Sequence, residues 1–140
     1  MTSGRKLKLV AEAERILLDT SVLIAAERAL LSLPSAGDVA IASLTVSEHL
    51  RGVHRDTDPA RRQRRAALFE RVLGLLHVEP FDLIAARVLA RVAADLDVAG
   101  TPIGLADAII AATALATRRT LITLNRRHFE RVAGLDLSQP

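Results

Sequence analysis

Asp19, Glu48 and Asp107 each stand alone inside an apolar run. Asp19 separates Ile16-Leu17-Leu18 from Val22-Leu23-Ile24. Glu48 lies within Ile41 to Leu50, whose other members are apolar or small apart from His49. Asp107 is the one charged residue between Val98 and Thr117. An unpaired buried carboxylate is costly, so it must neutralise, meet a cation or hold a metal. Lys8 is the last lysine of the chain, which all but removes ammonium partners. Three stranded carboxylates from distant parts of one small domain point to an oxygen-ligand site for Mg²⁺ or Mn²⁺.

Each acid also has a structural explanation. Asp19, followed by Thr20 and Ser21, has the composition of a helix cap. Thr45-Val46-Ser47-Glu48 fits the spacing of a capping box. Asp107 could pair with a buried arginine. For all three structural explanations to hold, three separate accidents would have to coincide in one fold.

The elements that must position these residues alternate between strand and helix. Arg15 to Leu18 reads as a strand and Val22 to Leu33 as a helix stopped by Pro34. Asp38 to Ala42 reads as a strand and Thr45 to Val53 as a short helix. Pro59 to Leu76 is an amphipathic helix with proline near its first position. His77 to Glu79 is a short strand and Asp82 to Asp97 a helix. Gly104 to Ala116 is a helix apolar on every side, as in a core. Thr120 to Leu124 is a strand, and Arg126 to Val132 a last helix. This order predicts an α/β fold, a single domain over 1–140 with a parallel sheet of four to five strands sandwiched between helices and an N-terminal extension over 1–14. Ligands of such sheets bind beyond the carboxyl ends of the strands, where Asp19 and Asn125 fall.

Composition narrows the chemistry. With 140 residues there is room for a real core. Half of the residues are hydrophobic and only 2% are aromatic, so Ala, Leu, Val and Ile must build it. The absence of cysteine excludes disulfides, thiolate metal sites and a cysteine nucleophile. The four histidines lack the paired spacing of a zinc hydrolase. The basic start lacks a signal-peptide apolar region, and no stretch is long and apolar enough to span a membrane, so a cytoplasmic protein is expected.

The net charge is only +3, but the arginines cluster. Arg61, Arg62, Arg64 and Arg65 fall in one helix, and Arg126 and Arg127 near the end of the chain. Each cluster reads either as a solvated face or as a surface for RNA or a partner. No Trp or Tyr is present to stack on bases, and Phe69, Phe81 and Phe129 are expected in the core.

Ile16-Leu17-Leu18-Asp19-Thr20-Ser21 is similar to the opening of PIN-domain ribonucleases. Ile41-Ala42-Ser43-Leu44-Thr45-Val46-Ser47-Glu48 resembles their second acidic motif, and Ile103-Gly104-Leu105-Ala106-Asp107-Ala108-Ile109-Ile110-Ala111-Ala112-Thr113-Ala114 their third, the most specific of the set. Leu121 to Phe129 resembles the segment that closes their site. Within the family the chain looks most like the VapC-type toxins of bacterial toxin–antitoxin pairs.

The resemblance implies a Mg²⁺- or Mn²⁺-dependent endoribonuclease with Asp19, Glu48 and Asp107 as ligands, acting on a structured RNA such as tRNA or rRNA. A carboxylate-bound metal activates water and neutralises phosphoryl charge. Thr20 and Ser21 are candidates to orient a carboxylate or a water, with helix capping as the alternative. The family often has a further acid in the closing segment. Here Asn125 and His128 stand in its place, Asn125 either as a neutral oxygen ligand or as a turn residue. A VapB-type antitoxin and a second copy of the chain are the partners implied. A nuclease of RNA maturation and an inert binding module of the same fold are the alternatives. A phospho-accepting receiver domain fits poorly, because Lys6 and Lys8 precede the first strand.

Overall fold

Apolar residues on both sides of a strand require cover on both faces, and the shortest apolar runs of this chain meet that condition at the centre of one sheet. The computed structural model describes residues 14–28, 32–34 and 37–140. Within them β1 (Arg15–Leu18) lies between β2 (Asp38–Ala42) and β4 (Thr120–Ile122), parallel to both. Leu17 is opposite Ala40 and Leu121, and Leu18 opposite Ile41 and Ile122. β3 (His77–Glu79) and β5 (Leu137–Ser138) flank them, giving a parallel sheet of order β3-β2-β1-β4-β5. β5 has only two residues, too few to show a periodic pattern. It exists because Leu121 and Thr123 donate to the carbonyls of Asp136 and Ser138.

Side chains alternate across the strands and so divide the core in two. Leu17, Ala40, Ala42 and Leu121 pack on one face with Val92 and Leu96 of α4 (Leu83–Val98) and Ile110, Ala111 and Ala114 of α5 (Leu105–Thr117). Ile16, Leu18, Ile41 and Ile122 pack on the other with Val22 and Leu23 of α1 (Thr20–Glu27) and Phe69 of α3 (Pro59–Leu73). α2 (Ser43–His54) follows β2, and a single turn, α6 (Arg126–Phe129), follows β4. The α/β architecture expected from the alternating pattern is therefore observed.

Several boundaries differ. α1 begins at Thr20 because Asp19 caps it, and it ends at Glu27 with Arg28 as its C-cap. The expected helix ran to Leu33, but Ser32, Leu33 and Pro34 are not helical, and 29–31 lie outside the described residues. The expected N-terminal extension lies outside them too, apart from Glu14. The last strand stops at Ile122 and the last helix at Phe129, since Asn125 turns the chain and Glu130 caps it. Phe69 and Phe129 are buried as expected, whereas Phe81 is exposed. Among the described residues no helix is long and apolar enough to cross a membrane.

Arg119 is buried at the amino end of β4. Its guanidinium donates to Glu79 Oε1 at 2.8 and 3.0 Å and to the carbonyl of Asp38 at 2.9 Å. It also holds the Asp38 carboxyl below the usual range, chiefly through a side-chain hydrogen bond. This arginine pins β2, β3 and β4 together at the edge opposite the candidate site.

Candidate active site

Asp19 is placed by the end of β1. Its backbone N–H donates to the Ile122 carbonyl at 2.9 Å, which extends the β1–β4 ladder by one residue and leaves the side chain at the carboxyl edge. The residue is only 4% exposed. Oδ1 accepts from the Thr20 N–H at 2.8 Å, and Oδ2 accepts from the hydroxyls of Ser21 and Thr123, each at 2.8 Å. Three donors fix the orientation of this carboxylate. Ser21 Oγ in turn accepts from the Leu124 N–H, and Thr123 Oγ1 from the Asn125 N–H. The loop after β4 is thus tied to Asp19 twice.

Glu48 sits one turn into α2. The capping box suggested by its spacing is not formed, because Ala42 is the N-cap and makes no side-chain cap bond. Glu48 Oε1 instead accepts from Thr20 Oγ1 at 2.9 Å, and the same hydroxyl is 3.1 Å from Oγ1 of buried Thr45. Thr20 and Ser21 therefore each hold one carboxylate, while capping of α1 falls to Asp19 itself.

Asp107 lies in the first turn of α5. Its partner is His128 of α6, Nδ1 to Oδ2 at 3.0 Å, and not a buried arginine. Burial pushes the Asp107 carboxyl up, His128 draws it back, and the Asp19 charge pushes it further up. Asp107 thus lies within reach of the Asp19 charge. Asn125 heads α6, is exposed, and its side chain makes no cap bond.

All the carboxylate ligands on offer are oxygen donors, the type that Mg²⁺ and Mn²⁺ prefer over softer sites. Among the described residues no three His, Asp or Glu side chains gather closely enough to enclose a metal by themselves. That arrangement still suits Mg²⁺, which keeps several waters and is usually held by one or two carboxylates.

Residue type and spacing alone left out Thr123 and gave no sign that His128 meets Asp107. Thr123 is fully buried and is the hydroxyl that joins Asp19 to the β4–α6 loop. Its one sequence signal is a polar residue directly after an apolar strand. The arginines of α3 are largely committed within the fold. Arg61 forks onto Asp56 at 2.7 Å through two nitrogens, which holds that carboxyl well below the usual range. Arg65 bonds Glu27 and Asp56, and Arg62 the Asp56 carbonyl. Arg64, Arg126 and Arg127 are exposed.

A parallel sheet of this order, with Asp19 and its hydroxyl partners at the carboxyl edge, defines an α/β domain with a polar site at the strand ends. The chain matches the PIN domain over residues 16–135 and belongs to that family. It is 34% identical over 125 residues to Ribonuclease VapC1 of Rickettsia felis, covering 87% of this chain and 93% of that one. It is 32% identical over 99 residues to the tRNA(fMet)-specific endonuclease VapC of Shigella flexneri, covering 71% and 73%. Among solved structures it is similar to the DNA-bound VapBC of Salmonella typhimurium, with a TM-score of 0.76, 28% identity and coverage of 90% and 98%.

Proposed function

We propose that the chain is the endoribonuclease toxin of a toxin–antitoxin pair, with its active site at Asp19, Glu48 and Asp107 and a VapB-type antitoxin as partner. The observation that carries the site is the Thr20 bridge, its N–H on Asp19 Oδ1 and its hydroxyl on Glu48 Oε1, with Asp107 held by His128 of the helix that follows the β4 loop tied to Asp19. Relatives named as VapC ribonucleases support the activity, and a neighbour solved as a VapBC complex supports the partner and favours a toxin over an enzyme of RNA maturation. A structured RNA such as tRNA is the substrate class this reading takes, as the name of the Shigella relative indicates for that protein. Exposed Leu83, Ile84 and Leu105, on the first turns of α4 and α5, support a second copy as a further partner.

Asp19 and Asp107 would hold Mg²⁺ or Mn²⁺, with Glu48 completing the acidic set and Asn125 as a neutral oxygen at the rim. When bound, the ion supplies activation of water and neutralisation of phosphoryl charge. The chain's own residues prepare the site. Ser21 and Thr123 occupy Asp19 Oδ2, so Oδ1, with a single N–H partner, is the freer oxygen. Thr20 orients Glu48.

The test is to map the 5′ ends of cellular RNA after brief expression of the wild type and of Asp107→Asn, alongside cleavage in vitro with and without Mn²⁺. New ends with the wild type alone, and cleavage only with metal, are expected. Identical end profiles would defeat the reading, and binding without metal-dependent cleavage would favour an inert module.

A further inference from the structure

The arginines of this chain fall into two structural groups. In α3, Arg61 and Arg65 give their forks to Asp56 and Glu27 and join α3 to α1 and to the end of α2, while Arg62 and Arg64 stay exposed. A guanidinium whose donors are already taken by carboxylates has little left for a phosphate. The second group follows β4. Arg126, Arg127 and Arg131 are exposed, and so is Arg91 on α4. None of these four makes an ion pair with an acid among the described residues.

Their placement relative to the carboxylates is specific. His128 touches Asp107, and Arg131 follows three residues later, in the turn after α6. Arg131 and Arg91 line opposite walls of a groove of about 700 Å³ between α4 and the turn after α6. Val92, Leu96 and Val132 form its apolar floor, and Asp95 is the acid on its wall. Glu130 lies beside Arg131 and is exposed. Within the groove two guanidiniums, Arg91 and Arg131, thus face one carboxylate, Asp95, while exposed Arg126 and Arg127 lie on the turn that carries His128. No aromatic residue lines the groove, so it lacks the stacking platform of a base-reading surface. A surface of this kind holds a polyanion by its backbone and is indifferent to its bases.

We propose that the α4–α6 groove, through Arg91 and Arg131, is the track for the phosphates flanking the bond to be cut in the RNA, and that α3 is not. This rests on the nuclease reading above.

The test measures binding of a fluorescein-labelled RNA stem-loop to the full chain carrying Asp107→Asn, over a range of salt concentrations. Two double variants are compared in that background, Arg91→Gln with Arg131→Gln, and Arg62→Gln with Arg64→Gln. Loss of two phosphate contacts should reduce the slope of log affinity against log salt by about 1.4 to 1.8 and weaken low-salt binding by ~10-fold or more. That result is expected for the groove pair, with the α3 pair unchanged. An unchanged slope for the groove pair, or equal losses for both pairs, overturns the proposal. So does a groove pair that binds RNA normally but no longer assembles with the cognate antitoxin, since the groove would then be a protein contact. Cleavage by the chain with Asp107 intact is followed in parallel. Normal cleavage without a groove effect removes the track alone, whereas a groove effect without any cleavage in Mn²⁺ removes the nuclease reading and leaves an RNA-binding groove.

Discussion

His128 Nδ1 lies 3.0 Å from Asp107 Oδ2, so one of the candidate ligands is held by a histidine from the helix that closes the site. The contact sets Asp107 between an attractive neighbour and a repulsive one, since the Asp19 charge opposes its ionisation. His128→Ala should therefore free Asp107 and strengthen Mn²⁺ binding several-fold while lowering melting temperature in chelator. Calorimetric titration with paired melting curves checks it. Unchanged Mn²⁺ affinity would mean that His128 does not compete for the site.

Asp107→Asn should reduce metal-dependent cleavage by ~100-fold or more. Its effect on stability follows from the sign of the Asp107 shift. The folded-state value is raised, so the fold favours the neutral acid, and this contribution, present below the ordinary carboxylate value, is lost as pH rises through the raised one. At neutral pH the ionised group weighs against the metal-free fold. The amide removes that penalty, and the variant should melt roughly 3 °C higher in chelator at pH 7. The advantage should shrink as the solution is acidified. An advantage that does not change with pH would sink the electrostatic account.

Thr123→Val takes one donor from Asp19 Oδ2 and leaves the Asn125 N–H without its acceptor. A loss of about 1–3 kcal/mol in stability is expected, with Mn²⁺ binding weakened by ~10-fold or more. Thr123→Ser keeps the hydroxyl and should restore metal affinity. If valine and serine bind Mn²⁺ equally, Thr123 plays no part in orienting Asp19.

His49 is buried, stacks on Phe69 at 4.2 Å between ring centres, and lies 2.9 Å from Glu27. Burial lowers its pKa, Glu27 acts in the opposite sense, and the net direction is down. A lowered histidine contributes stability above the unfolded value of ~6.5 and loses it as pH falls through the folded one. Melting temperature should drop between about pH 7.5 and pH 5.5, and His49→Gln should flatten that drop. An equally steep fall in the variant would place the effect elsewhere.

Asn125→Asp adds a negative charge at the end of β4. If the side chain faces Asp19 and Asp107, Mn²⁺ should bind more tightly and the chelated protein should be less stable. Equal affinity and equal apo stability would remove Asn125 from the site.

What the sequence by itself determined was the class of fold, and it singled out the acids proposed for the site. Strands such as Ile16-Leu17-Leu18 show themselves because both faces must be buried, and Asp19 and Asp107 stand out because a charge inside an apolar run needs a reason. What only the tertiary structure decided was the partner of each group. Thr123 reaches Asp19 across 104 residues, and no local pattern marks a hydroxyl whose use depends on that approach. Glu48 sits at capping-box spacing yet bonds Thr20, because α1 and α2 meet at the carboxyl edge and the Thr20 hydroxyl lies within its reach. The two arginine clusters look alike as composition. Arg61 and Arg65 part from the rest only when Glu27 and Asp56 are brought against α3, since a guanidinium's availability is set by the acids that folding places beside it.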